Sequence, residues 1–309
     1  MSRTAVPGTD ARLDDATEVF PGRRELLSGI VHNMLGSVAD TDDVPQETWP
    51  SWTARGAGAS LDGVANPRAC LVRVALNHAL ERRAATGRGR EPHVGPWLPE
   101  PLVTDEDAGA PALRAESVSL AMPVVLESPT PLERAVFVPG EVFGYPHAGI
   151  AEIIDRTPAA VRQPARRSRE HVHARRPRFR AHPRVGREAT ERFVRAALGG
   201  DTTALMEILA PDVTVWTDGG GKRKPAALRP AHGRDKAARP LGGYASGRGP
   251  RDLELRHRRV NGDDAAVLFR AGSPFAAVVL DLTPDGGQVC GVYVVADPDK
   301  LTHVRGEEA

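Results

Sequence analysis

Residues 144–179 read GYPHAGIAEIIDRTPAAVRQPARRSREHVHARRPRF, and two short helical patterns meet inside them at Asp155-Arg156-Thr157-Pro158. In the first, over residues 147–154, Ile150, Ile153 and Ile154 share one face. Thr157 is a good N-cap for the second, and Pro158 a good first helical residue, because its missing N–H would be unpaired there anyway. Val161 then faces inward while Arg162, Gln163, Arg166 and Arg167 face out. Two helices joined by a tight turn, the second basic, match a helix-turn-helix. Its second helix would enter a major groove N-terminus first. Arg suits guanine edges, Gln suits adenine, and Arg169, Arg175 and Arg176 suit phosphates. The same spacing also fits an ordinary helical hairpin with a solvated basic face. Pro164 complicates either reading. As the seventh residue of the helix it removes the N–H bond to the Ala160 carbonyl, costs about 3 kcal/mol if the helix stays regular, and a kink there would re-aim Arg166 onward.

The chain has 309 residues, long for one domain, so two or three are expected. No run approaches the roughly 20 apolar residues of a membrane-spanning helix, and the N-terminus lacks the apolar core of a secretory signal. Cys70 and Cys290 follow no metal-ligand spacing and read as reduced thiols of a cytoplasmic protein. The net charge of +1 hides an uneven distribution, for residues 156–187 hold eleven arginines against one acidic residue, Glu170. Only Lys222, Lys224, Lys236 and Lys300 are lysines among 41 basic residues, the mark of arginine-rich codon use, so the clustering says more than the count.

Upstream, Leu26, Leu27, Ile30, Val31, Met34 and Leu35 form a helical stripe. Asp40 or Thr41 is placed to cap the next helix, with Asp42 and Asp43 at the positive end of its dipole. A third helix opens at Pro67, with Leu71, Val74, Ala75 and Leu80 on one face. Residues 86–116 are rich in Gly, Pro and charge and read as a linker. A second helical block follows over about 117–176, with Leu132, Val136, Phe137, Val142 and Phe143 at helix spacing until Gly144 breaks it. Beyond Pro183, helical patterns at about 187–199 and 202–210 lead into VTVWTD. DLELRHRRVNG, DAAVLFRAG, PFAAVVLDLT and QVCGVYVVAD then read as antiparallel strands, which makes a separate α+β domain.

On these residues the chain resembles the sigma-70 family. GYPHAGIAEIIDRTPAAVRQPARRSREHV resembles region 4, which reads the upstream promoter element. MLGSVADTDDVPQETWPSW resembles the segment of region 2 that docks on core RNA polymerase, and PRACLVRVALNHALERRAA resembles the helix that reads and melts the downstream element. With only these two regions, the chain is similar to the extracytoplasmic-function (ECF) group. WLPEP at 97–101, DGGGK at 218–222 and Asp297-Pro298-Asp299-Lys300 resemble signatures of a subgroup carrying a fused SnoaL-like domain. The resemblance implies a multidomain fold: two all-α sigma modules, a region 2 helical bundle and a region 4 helix-turn-helix, then an α+β SnoaL-like, cone-shaped, nuclear-transport-factor-like domain. The expected boundaries are 18–86, 87–116 for the linker, 117–180 and 183–309.

The resemblance assigns core-polymerase binding to Asp42, Asp43, Gln46, Glu47 and Trp49, and DNA binding to Arg73, Asn77, Arg82 and Arg83 with Thr157, Arg162, Gln163, Arg166, Arg167 and Arg169. It assigns a regulatory contact to Trp97, Leu98, Pro99, Glu100 and Pro101 and to the loop Asp218, Gly219, Gly220, Gly221 and Lys222, whose partner it makes either that linker or the sigma regions. Read alone, the acidic helix is a surface helix, residues 73–83 a solvated basic face short of aromatics for stacking, and the glycine loop a flexible turn. The loop is not a phosphate loop, since GxxxxGK spacing is absent. The expected partners are core polymerase and promoter DNA, with no membrane, no cofactor and no metal, in a cytoplasmic, nucleoid-associated protein without catalysis of its own. Asp212, His232, Asp281 and Tyr293 are the polar candidates for a C-terminal pocket, where a small-molecule ligand is conceivable. The rivals are a one-component helix-turn-helix regulator with a sensing pocket, and a SnoaL-like isomerase or cyclase, which needs an acid–base cluster that no spacing predicts. Pro45, Pro50, Pro139, Pro164 and Pro240 fall where helices are expected to be interrupted.

Overall fold

The computed structural model describes residues 24–58, 67–89, 94–104, 130–173, 182–223, 229–242 and 252–305. They fall into two units, one holding the described residues through Gly89 and those of 130–170, the other the segment 94–104 and the chain from Pro183 onward.

The first unit is all-α. Helix α1, Arg24–Leu35, buries the stripe Leu26, Leu27, Ile30, Val31, Met34 and Leu35. It packs against α2, Val38–Gly58, and α3, Pro67–Gly89. Helix α2 begins earlier than its aspartates suggest. Ser37 Oγ accepts from the Asp40 N–H at 3.3 Å, and Thr41 donates its hydroxyl to the Ser37 carbonyl, so Ser37 caps the helix rather than Asp40 or Thr41. On α3 the buried face is Leu71, Val72, Val74, Ala75, Leu76 and Ala79, with Leu80 only half-buried.

Helix α4, Pro131–Phe137, opens on a capping box in which the Thr130 side chain accepts from the Glu133 N–H and the Glu133 carboxylate from the Thr130 N–H. A π-helical turn, Val138–Val142, takes up Pro139, and the chain turns away two residues later at Gly144, whose φ is +69°. Arg134 is 1% exposed. Its Nη1 donates to the Met34 carbonyl at 3.1 Å, as Arg83 Nη1 does at 3.3 Å. That carbonyl is among the last four of α1, which have no partner within the helix, so the two arginines cap it and meet its negative dipole end. Helices α5, His147–Ile153, and α6, Pro158–His173, complete the unit.

Pro139 falls where α4 gives way to the π-helical turn, as expected, but the other four prolines do not interrupt their helices. Pro45 and Pro50 lie within α2, Pro164 within α6 and Pro240 within α9 (Arg234–Gly242), each helix running through. Packing of the apolar faces holds these helices together despite the missing N–H bonds, as it does most helices in proteins.

The second unit is a seven-stranded sheet in the order β1-β4-β5-β6-β7-β2-β3. Strands β4, Leu253–Val260, β5, Asp263–Arg270, β6, Ser273–Leu282, and β7, Val289–Val295, form an antiparallel meander. VTVWTD lies in β2, Leu209–Asp218, which runs parallel to β7 and carries the short β3, Ala231–His232, at its outer edge. At the opposite edge, β1, Val103–Thr104, comes from the segment read as linker and pairs with β4. Helices α7, Pro183–Gly199, α8, Thr202–Ile208, and α9 supply Phe193, Val194, Leu205, Ile208 and Leu241 to a core with Val213, Val215, Leu268, Val278 and Val292. A second core holds Val260, Val267, Phe269, Val279, Tyr293 and Val295 with Leu98, Leu301 and Val304. Burial of alternate residues on both faces explains why these strands read as continuous apolar runs.

Candidate functional site

Around the Asp155–Pro158 turn the local geometry follows from three residues. Asp155 takes the left-handed conformation, φ +53°, which a short polar side chain tolerates. Thr157 Oγ1 accepts from the Ala160 N–H at 3.3 Å and starts α6. Val161, Ala165 and Ser168, at i, i+4 and i+7, are buried, the first two packed with Val136, Ile150 and Ala151. This leaves Arg162, Gln163, Arg166, Arg167 and Arg169 exposed. Arg166 pairs with Glu170 at 2.8 Å and Arg169 with Glu141 at 2.5 Å. Both are exposed pairs screened by water, which contribute little, so they release readily to another anion. Arg175 and Arg176 lie outside the described residues.

On α2, Asp42, Asp43, Gln46 and Glu47 are exposed and Trp49 is half-buried. The four candidates on α3 do not act together. Asn77 is exposed and Arg73 half-buried, whereas Arg83 binds the Met34 carbonyl and Arg82 binds the carboxylates of Asp40, Asp43 and Glu47.

The WLPEP segment and the glycine loop meet within the second unit. Asp218, fully buried at the end of β2, accepts at Oδ2 from the Leu98 N–H at 2.8 Å and from Lys300 Nζ at 2.7 Å, and at Oδ1 from the Gly220 N–H at 3.0 Å. Lys300 also donates to the Leu98 carbonyl and sits 4.2 Å above the Trp97 ring. The Leu98 backbone is thus gripped at both its polar groups, and its side chain is fully buried in the second core, a contribution of about 2 kcal/mol. Pro99 and Pro101 are buried and Glu100 half-buried; the Pro101 carbonyl lies 2.8 Å from His303 Nε2. Leu102 and Asn261 bond reciprocally, backbone N–H to Oδ1 at 2.7 Å and Asn261 N–H to the Leu102 carbonyl at 2.8 Å, before β1 joins the sheet.

The loop's residue types follow from this contact. Gly220 has φ +60°, and a Cβ there would lie 2.2 Å from Asp297 Oδ2. Gly221 has φ +73° with Val94 against it, Gly219 is buried, and Lys222 pairs with Asp299. Burial pulls the Lys300 ammonium below its ordinary range, against the charge and hydrogen bond of Asp218. Lys300 was legible only as part of a motif. His303 and Asn261 carried no sequence signal.

An apolar cavity of about 60 Å³ lies between the helices and the sheet, lined by Phe193, Leu198, Leu241, Phe275, Val278 and Val294 among others. None of the four polar pocket candidates lines it. Asp281 and Tyr293 are on the other side of the sheet, where Tyr293 donates its hydroxyl to Asp281 Oδ2 at 2.8 Å and stacks on Trp216 at 4.8 Å. Burial, then the Asp281 charge, pushes the Tyr293 phenol well above its ordinary value, which suits a structural hydroxyl. Asp212 is exposed, and so is His232, whose Nδ1 lies 3.1 Å from Thr214 Oγ1. The cavity is therefore lined by no acid–base pair among the described residues. Among the described residues no His, Cys, Asp and Glu cluster could hold a metal, and no helix is long and apolar enough to cross a membrane.

An all-α unit ending in a helix-turn-helix, together with an α+β sheet domain, is the architecture of a sigma factor with an appended SnoaL-like domain, and comparison with known proteins identifies it as one. Residues 190–304 match the SnoaL-like domain family. The chain is 33% identical over 299 residues to the ECF RNA polymerase sigma factor SigJ of Mycobacterium tuberculosis, covering 92% of each chain. It is 27% identical to the probable ECF RNA polymerase sigma factor SigI of the same species, covering 95% of this chain and 97% of that one. The crystal structure of the M. tuberculosis extracytoplasmic function sigma factor SigJ matches with a TM-score of 0.71 at 32% identity, over 93% of this chain and 98% of that one. The chain belongs to the ECF family of RNA polymerase sigma factors.

Proposed function

We propose that this chain confers promoter recognition on core RNA polymerase and that its SnoaL-like domain regulates it from within. In this reading the α2 face of Asp42, Asp43, Gln46, Glu47 and Trp49 docks on core, and Arg73 and Asn77 on α3 meet the downstream element. Helix α6 enters the major groove of the upstream element, Arg162 and Gln163 reaching base edges and Arg166, Arg167 and Arg169 the backbone. The chain catalyses nothing itself; initiation chemistry belongs to the polymerase. The observation that carries the DNA-reading role is the partition of α6, whose apolar side is used up in packing while its basic side is exposed.

Regulation rests on the grip of Asp218 and Lys300 on Leu98, because the gripped segment is the tether joining the two sigma modules. Core-dependent promoter binding tests the reading. Arg162→Ala with Gln163→Ala is expected to lose about thirtyfold or more in promoter affinity at fixed salt, two base contacts being worth about 1–3 kcal/mol each, while core affinity is unchanged. Equal promoter affinity would overturn it.

A further inference from the structure

The Arg82 guanidinium is committed to three carboxylates. Nη1 lies 2.5 Å from Asp40 Oδ1 and 3.2 Å from Asp43 Oδ2, and Nη2 lies 2.5 Å from Glu47 Oε1. These acceptors stand at i, i+3 and i+7 on α2, one per turn. Arg82 and Asp40 are each only about a quarter exposed, 28% and 26%, so the contact is partly withdrawn from water. Burial works against the Arg82 charge, but the hydrogen bonds to Asp40, Glu47 and Asp43 outweigh it and raise its pKa. Position on α3 points the same way. At 3.6 residues per turn, nine residues separate Arg82 from Arg73 by about half a turn, so a helix presenting Arg73 and Asn77 to nucleic acid turns Arg82 away.

We infer that Arg82 is a positioning residue of the polymerase-facing surface and not a DNA contact. Its fork holds Asp43 and Glu47 in one geometry, an acidic face set in advance for a basic partner. Without it, Asp40, Asp42, Asp43 and Glu47 repel one another over two turns, and the partner must itself order the side chains it meets. The inference rests on the reading that α2 docks on core polymerase.

The test uses the full chain with Arg82→Gln and Arg82→Lys. Core affinity is measured by fluorescence anisotropy at a temperature where each variant is folded, and promoter binding of the resulting holoenzyme over a salt series. Arg82→Gln is expected to weaken core binding about fivefold, the cost of ordering one side chain, and Arg82→Lys, which keeps the charge but not the fork, to recover part of it. The slope of log promoter affinity against log salt stays the same. A slope shallower by about one with unchanged core affinity would mark a phosphate contact and overturn the inference. So would a lower melting temperature with unchanged core affinity, which marks a structural role only. If Arg82→Gln fails to fold, the Lys variant decides on the same two readouts. A natural chain that binds no core at all overturns the proposed function first, and this inference with it.

Discussion

Asp218→Ala is the perturbation whose consequence follows most directly from the structure. The carboxylate is fully buried and accepts from Leu98 N–H, Lys300 Nζ and Gly220 N–H. Its removal strands the Lys300 ammonium, whose side chain is only 10% exposed. Breaking one partner out of a buried pair costs about 3–5 kcal/mol, and an orphaned amide about 1–3 more. These overlap, so about 5 kcal/mol is expected, a drop of about 10–20 °C in the melting temperature of a unit this size. Differential scanning calorimetry of the full chain reads it, with Trp97 fluorescence reporting release of the linker. The decisive companion is Asp218→Ala with Lys300→Met, which removes the stranded charge and keeps an apolar stem. It is expected to recover at least half of the loss, because apolar replacements of whole buried pairs are often near neutral. A shift below about 3 °C, or a double variant melting as low as the single one, would refute the argument.

Other outcomes follow from single residues. Gly220→Ala is expected to cost about 2 kcal/mol or more in thermal unfolding, since φ is +60° and the new Cβ meets Asp297; an unchanged melting point would contradict the loop geometry. Pro164→Ala restores the bond to the Ala160 carbonyl within a continuous α6 and is expected to stabilise the first unit by up to about 3 kcal/mol in urea unfolding, with no gain meaning that the helix is already relieved there. The Cys290 thiol is pushed up to about 11 by burial and then by the Asp281 charge. An unfolded thiol loses its proton near pH 9, so the unfolded chain binds fewer protons between about pH 9 and pH 11, and stability through this group falls as pH rises across that window. Cys290→Ala is expected to flatten the stability profile there, and the native thiol to alkylate about a hundredfold more slowly at pH 8 than a free one.

What was legible in the sequence shares a physical cause: it depends on near neighbours in the chain. Val161 sits at helix spacing on the inward face, Thr157 and Pro158 announce the start of α6, and β4–β7 alternate apolar runs with turns. What was not legible depends on partners far along the chain. Residues 94–104 read as linker because a two-residue strand has no period, and only the family resemblance, not any local pattern, singled out Leu98 and Asp218, whose contact spans 120 positions. Arg82 read as one of a basic face on α3, yet α2 clasps it, and Arg134, which carried no sequence signal, is buried against Met34. None of the pocket candidates lines the cavity, because polarity alone says neither which face of the sheet a residue occupies, as for Asp281 and Tyr293, nor whether it is exposed, as Asp212 and His232 are. Prolines signal breakage locally, but packing of the rest of the helix overrides one lost bond.

Run-off transcription with purified core polymerase, on a library of upstream fragments from the host genome, tests the central claim most directly. It compares the full chain, the Asp218→Ala chain and a chain ending near His182. The account predicts promoter-specific transcripts that require the added protein, with an output that changes when the linker grip or the C-terminal domain is removed. Folded proteins that yield no transcript in any of the three forms would contradict it.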